Sequence, residues 1–299
     1  MFVVIHSNAN DIDKLKTTQD VSLFLKANFK YKTFDLTDTA WVYNENQRLI
    51  KFADSLSVRY WFAEDLDNNK ETDLFAYGYA ETKKDKDGFL EMIVILSDKG
   101  KFRKVSLGEY YKRVFGSTEI FPTLLKIELT PLIVIHTITK NFSIETKQTQ
   151  SLLKTDTLTF KYGLPILYSN STFYPKIKRI EFKTSQCFGT CPIFEMTITG
   201  DRKIVYHAIK CNKEQGLFSC KLTETEYDYI VSCLLSSNFT SLKDEYEVNW
   251  TDDQTATLKI EYDIDKVKQI SDYGMVSNIG LMFFYRKLFD LRKVISNCR

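Results

Sequence analysis

Residues 178–222 repeat one pattern four times: short runs at 178–182, 193–198, 204–209 and 217–222 that favour β-branched and aromatic residues and alternate apolar with polar. A period of two marks a strand with one buried face. Sequential runs on short connections pair as antiparallel neighbours. A helix follows. Thr223-Glu-Thr-Glu226 forms a capping box, in which the Thr hydroxyl accepts a backbone N–H and Glu226 reaches back. Tyr227, Ile230, Val231, Leu234 and Leu235 then mark one helical face. Runs at 257–262 and 266–270 flank Asp263-Ile-Asp265 as a hairpin. Asn278 caps a last helix that faces inward through Leu281, Phe284, Tyr285, Leu288, Leu291 and Ile295. The order ββββαββα predicts a mostly antiparallel α+β fold with its helices packed on one sheet face.

The preceding half is also rich in strands. A helix is expected over residues 18–29, with Val21, Leu23, Phe24 and Leu25 on its apolar side. Strand-like runs follow at 58–62, 74–77, 92–96, 124–129, 132–138 and 157–162, and residues 108–115 suit a short helix. Turn formers cluster from Gly163-Leu-Pro165 through Ser169-Asn170-Ser171 to Pro175. A boundary there divides the chain into a β-rich domain at 1–168 and an α+β domain at 169–299. No repeat of fixed period suggests a propeller or solenoid.

Composition narrows the function. Lys and Arg number 41 against 39 Asp and Glu, a net charge of +2, without the basic excess of a nucleic-acid binder. No run approaches the ~18 apolar residues of a membrane span, so no transmembrane segment is expected. The opening Met1-Phe-Val-Val-Ile5-His6 lacks a basic leader and is too short for a signal peptide. That suggests a cytoplasmic protein, or one that has lost its leader. Six cysteines, all at or after residue 187, instead suit disulfides in an oxidising compartment, or simply small buried side chains.

Asp65-Leu-Asp67-Asn-Asn69-Lys-Glu71-Thr-Asp73 sets an oxygen ligand at every second residue between two strands. Ca2+ takes six to eight oxygens, and a looped chain can turn alternate side chains inward. An Asp- and Asn-rich solvated turn is the plainer account. An EF-hand would need Glu at the twelfth loop position, where Ala76 stands. The segment resembles the calcium loop of FG-GAP and VCBS-type repeats over about twenty residues. The resemblance implies side-chain ligands Asp65, Asp67, Asn69 and Asp73 and the backbone carbonyl of Glu71. Lys70 departs from the usual glycine, which implies weak affinity.

Cys187-Phe-Gly-Thr-Cys191-Pro192 is the most distinctive hexapeptide. Gly189 allows a positive φ and Pro192 fixes the exit. The pair suits a structural loop with buried or bridged thiols. A redox site usually spaces its cysteines as Cys-x-x-Cys at a helix N-terminus. Zinc would need two more ligands from Cys211, Cys220 or His207. The hexapeptide, its flanking strands, Tyr206, Tyr246 and Thr251-Asp252 resemble an uncharacterised bacterial domain family, from about residue 176 to the end. The family carries no established activity, so the resemblance transfers no catalytic role; it implies an extracytoplasmic setting, since members are often exported or lipid-anchored. A second cysteine pair follows if Gln215-Gly216 forms a two-residue hairpin tip: Cys211 then faces Cys220, on one side with Val205, Ile209, Phe218 and Leu222. Opposed Cα atoms lie ~4.5–5.5 Å apart, within reach of a disulfide.

Walker A, Gly-x-Gly-x-x-Gly, Gly-x-Ser-x-Gly and His-Glu-x-x-His motifs are absent. His6, His136 and His207 are the only histidines, and His136 lies in an apolar run that suits an interior group. The sequence therefore suggests a non-enzymatic binding protein for a protein partner or unknown ligand, stabilised by Ca2+, with no organic cofactor and no nucleic acid. The alternative is a thiol-dependent redox protein or enzyme using Cys187 and Cys191.

Overall fold

A computed structural model describes residues 10–36, 46–84, 88–112, 118–143, 148–172 and 174–295. Antiparallel β-structure dominates, with fewer helices. The chain divides into two compact units, Met1–Pro165 and Ile166–Arg299.

The first unit contains α1 (Thr18–Asn28), β1 (Tyr31–Asp35), α2 (Gln47–Leu56), β2 (Trp61–Glu64), β3 (Asp73–Thr82), β4 (Phe89–Asp98), β5 (Lys101–Ser106), α3 (Gly108–Lys112), β6 (Thr118–Ile127), β7 (Thr130–Ser143) and β8 (Gln148–Lys161). β9 (Leu164–Leu167) spans the division. One sheet runs β1-β3-β4-β5, with β2 also paired to β3; the other runs β6-β7-β8-β9. Thr17 caps α1 through a hydrogen bond from Asp20 N, and Asp20 reciprocates by accepting from Thr17 N. Val21, Phe24 and Leu25 are buried, but Leu23 is exposed. At 100° per residue the first three share one narrow stripe and Leu23 lies opposite. β3 and β4 are buried on both faces over Asp73–Gly78 and Glu91–Ser97, which explains the unbroken apolar run at 92–96. α1 covers one face, packing with Leu74, Ala76, Ile93 and Ile95.

Gly78 brings β3 close to β1. A Cβ there would meet the Asp35 carbonyl oxygen at 2.4 Å and Phe34 Cε1 at 2.9 Å. Backbone cannot step aside as a long side chain can. Gly78→Ala is therefore expected to cost about 1–3 kcal/mol as overpacking, read as a lowered urea midpoint. An unchanged midpoint would show that β1 can shift freely.

The second unit contains β10 (Ile177–Thr184), β11 (Ile193–Thr199), β12 (Lys203–Lys210), β13 (Gly216–Lys221), α4 (Glu224–Ser236), β14 (Glu245–Tyr246), β15 (Thr255–Tyr262), β16 (Lys266–Tyr273) and α5 (Ile279–Ile295). They form a seven-stranded sheet, ordered β13-β12-β11-β10-β15-β16-β14. Two-residue β14 has no counterpart in the sequence reading, and it pairs parallel to β16. Register sets Phe182 opposite Met196 and Leu258, and Ile180 opposite Ile198 and Ile260. These side chains make one buried face. α5 covers it, with Phe284, Tyr285 and Phe289 centred 5.5–6.4 Å from the Phe182 ring. Asn278 accepts a hydrogen bond from Leu281 N at 2.9 Å, and all six expected inward residues of α5 are buried. α4 packs against α5. Its capping box forms as written, and Ile230 and Leu234 of its expected face are buried, but Tyr229 and Cys233 complete that face in place of Tyr227, Val231 and Leu235.

The proposed Cys211–Cys220 pair is not formed. Cys220 stands opposite Ile204, and β12 ends at Lys210 before a loop that reaches β13 at Gly216. Cys211 lies in that loop at φ +56°, exposed and with a free thiol, whereas Cys220 is disulfide-bonded. The physical reason is the turn. Gln-Gly does not close a two-residue hairpin here, and the longer loop changes the register. On β12 the buried set becomes Ile204, Tyr206 and Ala208 instead of Val205 and Ile209.

Candidate functional site

The acidic segment joins β2 to β3, whose pairing sets Glu64 opposite Asp73 and closes the loop at its base. Leu66 turns into the interior, so its neighbours Asp65 and Asp67 flank a fixed point. Asp65 accepts hydrogen bonds from Asn69 N at 3.0 Å and Lys70 N at 2.9 Å, which curls the loop back. Asn68 and Lys70 take left-handed backbone at φ +59° and +73°. Lys70 thus holds a conformation that glycine would adopt at lower cost. Asp73 is fully buried and accepts from Leu66 N and Ser97 N, both at 2.8 Å.

This geometry brings three of the five sequence candidates together. Carboxylate oxygens of Asp65, Asp67 and Asp73 lie within 4.8 Å of one another, and they are the one such group of acidic, His or Cys ligands among the described residues. Asp67 Oδ1 is buried without a hydrogen-bond partner. Burial pushes the Asp73 carboxyl up to about 7; the charges of Asp67 and Asp65 add to this, and the two N–H donors oppose it. Asp67 is also raised, first by burial and then by Asp65. With Arg103 the one cation acting on Asp67, the three carboxylates outnumber the positive charge beside them and present hard oxygen donors, which suits a divalent cation such as Ca2+.

Asn69 and Glu71 point their side chains elsewhere. Asn69 donates to the Ser97 carbonyl at 2.6 Å and accepts from Glu71 N at 2.7 Å. Glu71 accepts from Ser97 Oγ and Lys99 N, both at 2.8 Å. These two clamp the loop to the β4–β5 turn. Ser97 binds Asp73, Asn69 and Glu71 together, yet the sequence reading missed it. Its one signal is a polar residue closing the apolar run at 92–96.

In the second unit, Cys187 and Cys191 are disulfide-bonded across the β10–β11 loop, with Cα atoms 5.8 Å apart. Gly189 takes φ +146°, a region reserved for glycine. Buried Gln254 donates to the carbonyls of Ser185 at 2.7 Å and Pro192 at 2.9 Å, gripping both ends of the loop. Strands flank the pair on both sides, with no helix N-terminus to activate a thiol. Zinc finds no set here among the described residues: Cys220 is bridged, Cys211 is exposed in its loop, and His207 is exposed on the polar sheet face. Cys233 is free but buried, its thiol pushed up to about 12 by burial. His136 bonds Thr155 Oγ1 at 2.9 Å, and its ring is lowered by burial. His6 lies outside the described residues.

The short disulfide loop carries a measurable expectation. By loop-closure entropy, a bridge across so few residues stabilises by about 2 kcal/mol. The Cys187→Ser/Cys191→Ser protein should lose that amount in urea unfolding and still fold. A loss near zero would mean that Gln254 alone holds the loop.

Residues 178–292, from β10 into α5, match the family model of a domain of unknown function (DUF6438). No curated protein matches the chain. Among the described residues, no helix is long and apolar enough to cross a membrane.

Proposed function

We propose that the chain is a non-enzymatic binding protein whose first unit is stabilised by Ca2+ in the β2–β3 loop. The observation that carries this reading is the convergence of Asp65, Asp67 and Asp73 around a buried, unpartnered Asp67 Oδ1. Three carboxylates held this close repel one another, and a bound dication would turn that repulsion into attraction. Asp65, Asp67 and Asp73 would supply side-chain oxygens, and the Glu71 carbonyl is the backbone candidate. Asn69 and Glu71 side chains brace the loop instead. The left-handed Lys70 and the nearby cation Arg103, which favours ionised Asp67, argue for weak affinity.

Calorimetry tests the reading. Wild type is expected to bind Ca2+ with a Kd of roughly 0.1–1 mM, the weak end of protein sites. At 10–100 times Kd, calcium should add about 1.4–2.7 kcal/mol of stability. Asp67→Ala should abolish both effects. Absence of heat in wild type up to about 10 mM Ca2+ would contradict the proposal.

A further inference from the structure

Two loops at one end of the seven-stranded sheet are tied together by main-chain hydrogen bonds. Phe188 N donates to the Asp252 carbonyl at 3.1 Å, and Ser185 N donates to the Thr255 carbonyl at 2.9 Å. The disulfide and Gln254 fix the first loop; Tyr273 Oη, accepting from Asp253 N at 3.0 Å, fixes the second. On this rigid base sit two exposed aromatics. Phe188, at the tip of the disulfide loop, is 87% exposed, and Trp250 is 47% exposed. Trp250 Nε1 is held by Asp253 at 3.3 Å. Segment 244–253 carries five carboxylates and no Lys or Arg. Glu245, Glu247 and Asp252 are exposed.

We propose that this loop pair is a docking surface for a Lys- and Arg-bearing extended segment of a partner protein, with Phe188 and Trp250 as its anchors. Charge complementarity selects the occupant: Asp244 is paired with Lys268 at 2.6 Å, but Glu245, Glu247, Asp252 and Asp253 have no ion pair among the described residues, and their local field attracts cations and repels acidic chains. Aromatic faces add cation–π and apolar contact, and aromatic residues dominate binding energy at interfaces. The bridged loop presents Phe188 already ordered, so little entropy is lost on binding. No stability argument accounts for an almost fully exposed Phe at the tip of a loop held this firmly. The inference deepens the binding-protein reading and does not depend on the calcium loop, which belongs to the other unit.

The test is panning of a random dodecapeptide phage library against the full chain, once with Ca2+ and once with EDTA. Selected peptides should be rich in Lys and Arg in both conditions. Their affinity, measured by fluorescence polarisation, should fall about tenfold or more in Phe188→Ala and in Trp250→Ala, the effect of losing an anchor residue. Asp252→Asn/Glu247→Gln and about 0.5 M salt should each weaken binding severalfold. All four residues are at the surface, so the variants keep the fold. No enrichment, enrichment of acidic or uncharged peptides, or equal binding to both aromatic variants would overturn the proposal. So would self-association in sedimentation that Phe188→Ala abolishes, which would make a second copy the occupant. Calcium calorimetry on the same samples separates failure of this surface from failure of the calcium site.

Discussion

Phe182→Ala is expected to destabilise the second unit by about 3–5 kcal/mol, the range for truncating a fully buried Phe. The side chain is 0% exposed. It lies opposite Met196 and Leu258 and touches the rings of Phe194, Phe284, Tyr285 and Phe289, so it joins the centre of the sheet to α5. Relaxation cannot fill the space from both sides at once. Domains are stable by only about 5–15 kcal/mol, so the variant stands near its folding limit. Amide exchange in β10 and α5 should speed up by about 100-fold or more wherever it proceeds through global opening. Leu217→Ala, at an exposed site on β13, should stay within about 0.5 kcal/mol of wild type. Equal effects of the two substitutions would refute the placement of the core.

A second large effect concerns pH. In calcium-free buffer, the stability of the first unit is expected to fall as pH rises from about 4 to 7. The sign follows from Asp73, whose carboxyl is pushed up from its ordinary 3.8 to about 7 in the folded chain. In that window the folded state keeps a proton that the unfolded chain has released, so each rise in pH favours unfolding. Asp67, raised in the same direction, adds to the trend. At about 1.4 kcal/mol per pKa unit the full change for Asp73 is roughly 4 kcal/mol. Calcium competes with the proton for the same oxygens, so saturating Ca2+ should flatten or reverse the slope. Urea midpoints across the window, with EDTA and with Ca2+, provide the measurement. The difference between wild type and Asp73→Asn removes the contribution of other titrating groups. Parallel slopes with and without calcium would separate the cation from this cluster.

Features fixed by neighbours in the chain were legible in the sequence. Thr223 and Glu226 are three residues apart, and their reciprocal hydrogen bonds need nothing else from the fold. The same holds for Asn278 at the start of α5 and for Asp263 and Asp265 at φ +49° and +56° in the β15–β16 turn. Features fixed by distant partners were not. The buried side of α4 is chosen by α5, some fifty residues later, and turns toward Tyr229 and Cys233. β5 was missed because an edge strand with Lys101, Arg103 and Lys104 exposed lacks an apolar run. At the acidic loop, alternate spacing marks Asp65, Asp67 and Asp73, but nothing in the segment shows that Ser97, on the next strand, captures Asn69 and Glu71. The mismatch at Cys211 is the same in kind: its expected register and face follow from a two-residue turn at Gln215-Gly216, and the length of that turn is set only by the paired strands.

The cation site is tested most directly by anomalous diffraction from crystals of the full chain grown with Ca2+ and then exchanged with Tb3+. One strong peak is expected beside Asp67 Oδ1, with oxygens of Asp65, Asp67 and Asp73 about 2.3–2.6 Å away. A peak bound elsewhere, or no peak while the three carboxylates keep their positions, would contradict it.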